Sequence, residues 1–191
     1  MDDGSNDYTR EVAEKYGCIL TPERENRGKG ASIKEGVALA KGNIILTTDC
    51  DLSTPIKYLN EFMFHIPEYD IIIASRAMKE SNVKTSFFKK MMGRLSNLMI
   101  SLLVKDISDT QCGFKLYKAK VAKILFDKSI IKRWGHDIEI LYLAQMHGYK
   151  IKEYPVEWTN DSESKVKLSD YPKTLLELIK IWRNKYEMSK L

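Results

Sequence analysis

Cysteine, long apolar runs, targeting signals and repeats are all scarce in this chain, and each scarcity excludes a class of protein. The three cysteines, Cys18, Cys50 and Cys112, are odd in number and lack metal-ligand spacing, which excludes a disulfide scaffold or a zinc knuckle and predicts reduced thiols in a cytoplasmic setting. The longest strongly apolar stretch, residues 98–104, is far below the ~20 residues needed to cross a bilayer. The first residues are acidic and polar (Asp2, Asp3, Asn6, Asp7), unlike a signal peptide. No internal repeat, RNA-binding aromatic signature or helix-turn-helix spacing is present, so no nucleic-acid partner is expected.

What is there fits one α/β domain. At 43% hydrophobic and 30% charged, the chain can bury one core and keep a charged surface. A net charge of +5 suits nucleic acid, anionic lipid or phosphorylated substrates equally, so it selects none of them.

The pattern predicts a helix over about 8–16, a short strand at 18–20 and a glycine-containing loop at 26–30. A helix over about 31–40 follows, then a buried-type strand at 43–48 that ends on Asp49-Cys50-Asp51. Ser53-Thr54-Pro55 caps a helix to about 64, and an apolar strand at 70–74 ends at Ser75-Arg76. This alternation predicts a mostly parallel sheet with helices on both faces, with ligands gathered at the carboxyl ends of its strands. The second half reads as less regular: a helix over about 87–104, another over 136–147, a strand near 154–158 and a last helix over 171–186.

Asp49 and Asp51 are the sharpest chemical feature. In extended backbone, residues i and i+2 point the same way, so both carboxylates can face one hard cation, Mg²⁺ or Mn²⁺, that also takes diphosphate oxygens. The plainer reading is a solvated turn that caps the next helix. Arg27-Gly28-Lys29-Gly30, leading into a helix, offers amides and cations to an anion, or is simply a basic surface loop.

Six segments together are more specific than any one of them. They are Asp2-Asp3-Gly4-Ser5, Arg27-Gly28-Lys29-Gly30, Asp49-Cys50-Asp51-Leu52-Ser53-Thr54-Pro55, Asp109-Thr110-Gln111-Cys112-Gly113-Phe114-Lys115, Trp134-Gly135-His136-Asp137-Ile138-Glu139 and Ser164-Lys165-Val166. In this order the chain resembles glycosyltransferase family 2, in its dolichyl-phosphate glucosyl- and mannosyltransferase branch. The resemblance implies a GT-A, Rossmann-like fold, with residues 1–191 as one domain: a nucleotide-binding half (1–80) and an acceptor-binding half (81–191). It implies inverting, metal-dependent transfer of a hexose to a polyprenyl or dolichyl phosphate. UDP-glucose is the preferred donor, with GDP-mannose, or a non-catalytic remnant binding lipid phosphate or a partner subunit, as alternatives.

By the same resemblance, Asp2, Asp3, Lys29, Asp49 and Asp51 bind the nucleotide sugar, and Asp49 and Asp51 hold the metal. Arg76, Lys90 and Lys165 meet the acceptor phosphate, and Asp51, Arg76 and Asp137 serve catalysis, Asp137 in an acceptor-side or structural role. Mannosyl relatives often carry glutamine where Ser53 stands. The helix over 87–104, with Lys84, Lys89, Lys90 and Arg94 at its start, reads either as an interfacial helix or as a core helix with a solvated basic end. A peripheral location on the cytoplasmic membrane face is therefore expected. Relatives carry a strand-helix-strand unit ahead of the segment matching Asp2 to Ser5, so the chain reads as N-terminally truncated. Either the chain is a fragment or trimmed product, or a second copy, a partner chain completing the sheet or a rearranged sheet fills that place.

Overall fold

The computed structural model describes residues 2–18, 25–77, 100–158 and 170–188. Residues 19 and 20 of the strand expected at 18–20, most of the helix expected over 87–104, and Lys90 and Lys165 lie outside the described residues.

The elements are α1 (Thr9–Lys15), α2 (Lys29–Leu39), β1 (Ile44–Thr47), α3 (Tyr58–His65), β2 (Ile71–Ser75), β3 (Lys115–Lys118), α4 (Ala119–Lys128), α5 (His136–Met146), β4 (Ile151–Pro155) and α6 (Asp170–Met188). The strands form one sheet in the order β1-β3-β2-β4. β3 is antiparallel to both β1 and β2, while β4 is parallel to β2. Three of the four strands therefore share a direction and β3 alone is reversed, so the sheet is mostly parallel in sense.

β2 is the centre of the core because it carries Ile71, Ile72, Ile73 and Ala74 at 0% exposure. A strand buried on both faces reads as a continuous apolar run, and this one does. Its alternate side chains feed two clusters. Ile71 and Ile73 join Tyr117, Ile45 and residues of α4, α5 and α6 on one face; Ile72 and Ala74 join Phe62, Ile66, Phe114 and Leu116 on the other. Phe62 of α3 meets Phe114 edge-on at 5.2 Å between ring centroids. Full burial of such a side chain contributes about 1.5–3 kcal/mol.

Two boundaries move for physical reasons. α3 begins only at Tyr58, because Tyr58 and Leu59 donate to the carbonyls of Pro55 and Ile56 in a tighter turn first. β4 begins at Ile151 and ends at Pro155, where proline has no N–H to continue the ladder. One more bond, from Val156 N to the Ser75 carbonyl at 3.2 Å, closes that end. β3 and α4 were not expected as elements, and β3 is the strand that ties β1 to β2.

Candidate functional site

The carboxyl ends of β1 and β2, the loop before β3 and the first turns of α2 and α5 meet in one region. β1 stops at Thr47, and residues 50 and 51 lie in a turn rather than in extended chain. The Leu52 amide donates to the Asp49 carbonyl at 3.3 Å, with Leu52 at φ 51°. A non-glycine residue there is uncommon and stores local strain. The alternation that aligned Asp49 with Asp51 is therefore replaced by turn geometry. Asp51 Oδ1 accepts the Ser53 amide at 2.9 Å, while Asp49 Oδ1 accepts the Lys29 ammonium at 2.6 Å.

Gly113 explains how Asp49 is seated. A β-carbon on Gly113 would lie 2.3 Å from Asp49 Oδ2 and 2.5 Å from its Cγ. Only glycine lets the carboxylate rest against this backbone. Thr47 Oγ1 donates to the Gly113 carbonyl at 3.1 Å, which holds the loop to β1. A narrow cleft brings Asp49, Gly113, Arg76, Thr54 and Trp158 together.

The start of α2 is built by a partner remote in sequence. Asp3 accepts the amides of Arg27 (3.0 Å) and Gly28 (2.7 Å). Gly28 sits at φ 103°, and a β-carbon there would come within 2.5 Å of the Lys132 carbonyl. A β-carbon on Gly30 would come within 2.6 Å of His136 Cβ. The loop and helix start thus pack without side chains onto residues 131–136, which aims Lys29 at Asp49 with its ammonium 5.9 Å from the Trp134 ring. Burial alone would lower the Lys29 pKa, but Asp137 and Asp49 outweigh it and hold the ammonium above the usual lysine range. Asp2 organises the preceding turn. Its carboxylate accepts Ser5 Oγ at 2.5 Å and Arg10 Nη1 at 3.0 Å. The Ser5 hydroxyl is the main reason its pKa falls to about 2.

Arg76, at the end of β2, grips Asp109 with Nε (2.7 Å) and Nη2 (2.9 Å), and its amide adds a third bond at 3.0 Å. Such a bidentate fork fixes the guanidinium plane, and the Trp158 ring lies 5.4 Å from its carbon. Burial pushes the Asp109 carboxyl up, but Arg76 overrides this and keeps it below the usual range. Glu153 of β4 in turn accepts the amides of Ser108 and Asp109, at 3.1 and 2.8 Å. Arg76, Asp109 and Gln111 also line a wider groove of about 460 Å³.

Asp137, in the first turn of α5, is buried and bonds the ammonium of Lys115, a side chain at 0% exposure. Lys115 Nζ also donates to the Cys112 carbonyl at 2.5 Å. Burial raises the Asp137 carboxyl, and the ammonium groups of Lys115 and Lys29 are on the side that more than reverses this, so it is ionised and occupied. His136 Nδ1 donates to the Arg133 carbonyl at 2.9 Å, and burial depresses its pKa, leaving the ring neutral.

The structure thus brings Asp49 and Arg76 to one cleft, with Lys29 bonded to Asp49, Asp51 on the exposed turn that follows Asp49, and Asp137 buried. Asp2 and Asp3 build the loops beside it. Sequence reasoning assigned no role to Asp109, Lys115, Gly113 or Trp158. Three of these lie inside a motif already singled out, which was the available signal. Among the described residues no cluster of three or more His, Cys, Asp or Glu is gathered as a ready metal cage, and none of the three free cysteines, Cys18, Cys50 and Cys112, is disulfide-bonded.

Residues 1–126 match the model of the family described as glycosyl transferase family 2. The chain is similar to a dolichyl-phosphate beta-glucosyltransferase of Trichomonas vaginalis, 36% identical over 193 residues, covering 95% of this chain and 59% of that protein. The human dolichyl-phosphate beta-glucosyltransferase is 37% identical over 184 residues, covering 87% of this chain and 56% of its own length. The chain therefore spans well under two thirds of these relatives. Among solved structures, mannosyl-3-phosphoglycerate synthase from Rubrobacter xylanophilus aligns with a TM-score of 0.70 at 15% identity, over 100% of this chain and 64% of that one. Glucosyl-3-phosphoglycerate synthase from Mycobacterium tuberculosis, in complex with Mn²⁺ and UDP-glucose, aligns with a TM-score of 0.63 at 15% identity, over 93% of this chain and 66% of that one. These two likenesses establish a shared fold.

Proposed function

The chain belongs to glycosyl transferase family 2, and from that premise we propose that it transfers a hexose, glucose in preference, from UDP-glucose to a polyprenyl or dolichyl phosphate with inversion. The observation that carries this reading is the convergence of Lys29, Asp49 and Arg76 at the carboxyl ends of β1 and β2, with Gly113 bare so that Asp49 can lie there. The names of the relatives at 36% and 37% identity support the substrate class.

In this reading residues 1–80 carry most of the nucleotide-sugar site and residues 81–191 most of the acceptor site. Asp2 and Asp3 shape the loops beside the nucleoside, and Lys29 turns from Asp49 to the diphosphate when the donor binds. Asp49 and Asp51 are the carboxylates that hold Mg²⁺ or Mn²⁺. The donor set fits a hard ion: carboxylate oxygens only, from half-buried Asp49 and exposed Asp51, with the remaining positions left to diphosphate oxygens and water. Such an ion supplies charge neutralisation to the departing nucleoside diphosphate.

The acceptor needs positioning more than deprotonation, because a phosphate monoester has a second pKa of about 6 and is already anionic at neutral pH. Arg76, one-third exposed and braced by Asp109 and Trp158, is the cation assigned to that phosphate, with Lys90 and Lys165 joining it. Asp137 is occupied by Lys115, so its part is to hold the electrostatic frame behind Lys29 rather than to abstract a proton. Among the described strands β1 pairs with β3 alone, and its other edge is the place for a second copy or a partner chain. The lipid acceptor calls for a position at a membrane surface, which we assign to the cytoplasmic face; no helix among the described residues is long and apolar enough to cross one.

Calorimetry with UDP tests the donor half: Mn²⁺ or Mg²⁺ should tighten binding and Asp51→Ala should remove the gain, whereas equal binding in EDTA would overturn the metal assignment. Transfer assays with UDP-glucose and GDP-mannose on a short polyprenyl phosphate test the rest. A preference for GDP-mannose would move the chain to the mannosyl alternative.

A further inference from the structure

We infer that Lys29 sets the order in which the candidate site fills: its ammonium withholds Asp49 from a divalent ion arriving alone and yields it to an incoming diphosphate. The inference rests on the donor-site reading above and deepens it, because it makes ion and nucleotide depend on each other through one side chain.

Both oxygens of Asp49 are engaged. Oδ1 accepts the Lys29 ammonium at 2.6 Å. Oδ2 lies over Gly113, 2.3 Å from the place a β-carbon would take. The pair is partly sheltered, with side-chain exposures of 28% for Lys29 and 42% for Asp49, so solvent weakens it without erasing it. Asp51, on the exposed turn, gives one oxygen to the Ser53 amide at 2.9 Å. A hard ion arriving alone therefore meets one solvated carboxylate and, close by, a second one already neutralised by a cation. Like charge repels the ion, and the oxygen it needs is bonded.

The backbone of Lys29 is fixed from two sides. Asp3 holds the amides of Arg27 and Gly28 at 3.0 and 2.7 Å. On the other side Gly28 and Gly30 rest against Lys132 and His136 so closely that a β-carbon would come within 2.5 and 2.6 Å of them. Only the side chain of Lys29 is left to swing. A diphosphate carries more negative charge than one carboxylate, so it competes for the ammonium and offers oxygens to the ion at once. The Trp134 ring, 5.9 Å from the ammonium, is a second attractive surface for the cation as it leaves Asp49. Release of Asp49 Oδ1 and capture of the diphosphate are then one motion. Ion and nucleotide must tighten each other's binding by the same factor, because such coupling is reciprocal. Without the lysine, the two carboxylates would take the ion independently of the nucleotide.

The test follows free Mn²⁺ by electron paramagnetic resonance during titration of this chain, with and without UDP, and needs no turnover. The wild type should bind Mn²⁺ weakly alone and about tenfold or more tightly with UDP. K29M should bind Mn²⁺ alone roughly fivefold more tightly than the wild type, and UDP should add much less to it. K29R keeps the cation and should follow the wild type. K29Q repeats the neutral change with a polar side chain, and thermal melts establish that each variant folds. A gain in ion affinity cannot come from a damaged fold, so the direction of the change separates this role from a structural one. Folded K29M and K29Q that bind Mn²⁺ alone no better than the wild type would overturn the inference. So would a wild type whose Mn²⁺ affinity is the same with and without UDP. Absence of Mn²⁺ binding in every variant, even with UDP, would refute the donor-site reading as well, whereas UDP-dependent binding that K29M leaves unchanged refutes the ordering role alone.

Discussion

Replacing Lys115 by methionine should destabilise the fold more than any other single change at the site. The ammonium has no exposure and bonds both Asp137 and the Cys112 carbonyl. Methionine keeps much of the volume but leaves Asp137 as a buried carboxylate that has lost its ammonium partner. Removing one member of a buried pair costs about 3–5 kcal/mol, and the orphaned carbonyl adds about 1 kcal/mol or more. Against a net stability of ~5–15 kcal/mol for a domain of this kind, that is a third or more of the total. Lys115→Met/Asp137→Leu should recover most of the loss, since a buried pair replaced by apolar groups is often neutral. Urea denaturation of wild type, both single variants and the double variant gives the coupling directly. The pH dependence supplies a second, independent readout. In the wild type the Asp137 carboxyl is held below its unfolded value, so its contribution is present above about pH 4 and is lost as pH falls through the folded pKa. In Lys115→Met burial loses its main opponent and the carboxyl rises above the unfolded value. The variant should therefore regain part of its deficit as pH falls and the group protonates. A loss under about 1 kcal/mol, or a deficit independent of pH, would refute the buried pair.

Gly113→Ala should weaken UDP binding with Mn²⁺ at least tenfold by calorimetry, because the new β-carbon would lie 2.3 Å from Asp49 Oδ2; unchanged affinity would remove Asp49 from the nucleotide site. Asp3→Ala leaves the amides of Arg27 and Gly28 without their acceptor and should cost about 1–2 kcal/mol in denaturant midpoints, with weaker UDP binding as Lys29 loses its aim. His136 is neutral when folded because burial depresses its pKa, so the unfolded chain binds the extra proton. Stability should fall as pH drops below about 6.5, and His136→Gln should flatten that slope in melts between pH 7.5 and 5.5.

β1, β2 and the three helices of the first half were legible because each carries its own local signal. Ile71-Ile72-Ile73-Ala74 is apolar throughout and lies at the sheet centre, and Asn43 to Thr48 predicted β1 to within a residue at each end. β3 was missed for a reason visible in its residues. In Lys115-Leu116-Tyr117-Lys118 two of four positions are lysine, and Lys115 points into the core rather than away from it. The partner that makes this tolerable, Asp137, is 22 residues downstream on another element. A buried charge erases the polar-apolar alternation by which a strand is recognised, and no local window contains its compensation. α4 had a readable stripe in Val121, Ala122, Leu125 and Phe126, but without β3 before it nothing placed that helix.

The same non-locality separates what the motifs named from what they do. Lys29 and Asp49 were picked out as binding residues, yet their mutual bond at 2.6 Å spans 20 positions. Arg76 was read as an open cation for a phosphate, whereas its fork closes on Asp109, 33 positions away. A cation already gripped on one edge is a better anchor than a loose one, because its plane is fixed before the ligand arrives. The glycines follow the same logic. Gly28, Gly30 and Gly113 each mark a place where backbone meets a carbonyl, a histidine β-carbon or a carboxylate within 2.3 to 2.6 Å of any added β-carbon. A sequence shows such a glycine as a gap, and only the fold shows what fills it. At all three positions the neighbour belongs to the candidate site or to the loop that holds it, so the spacing of these glycines records the site's packing as directly as its aspartates record its charge.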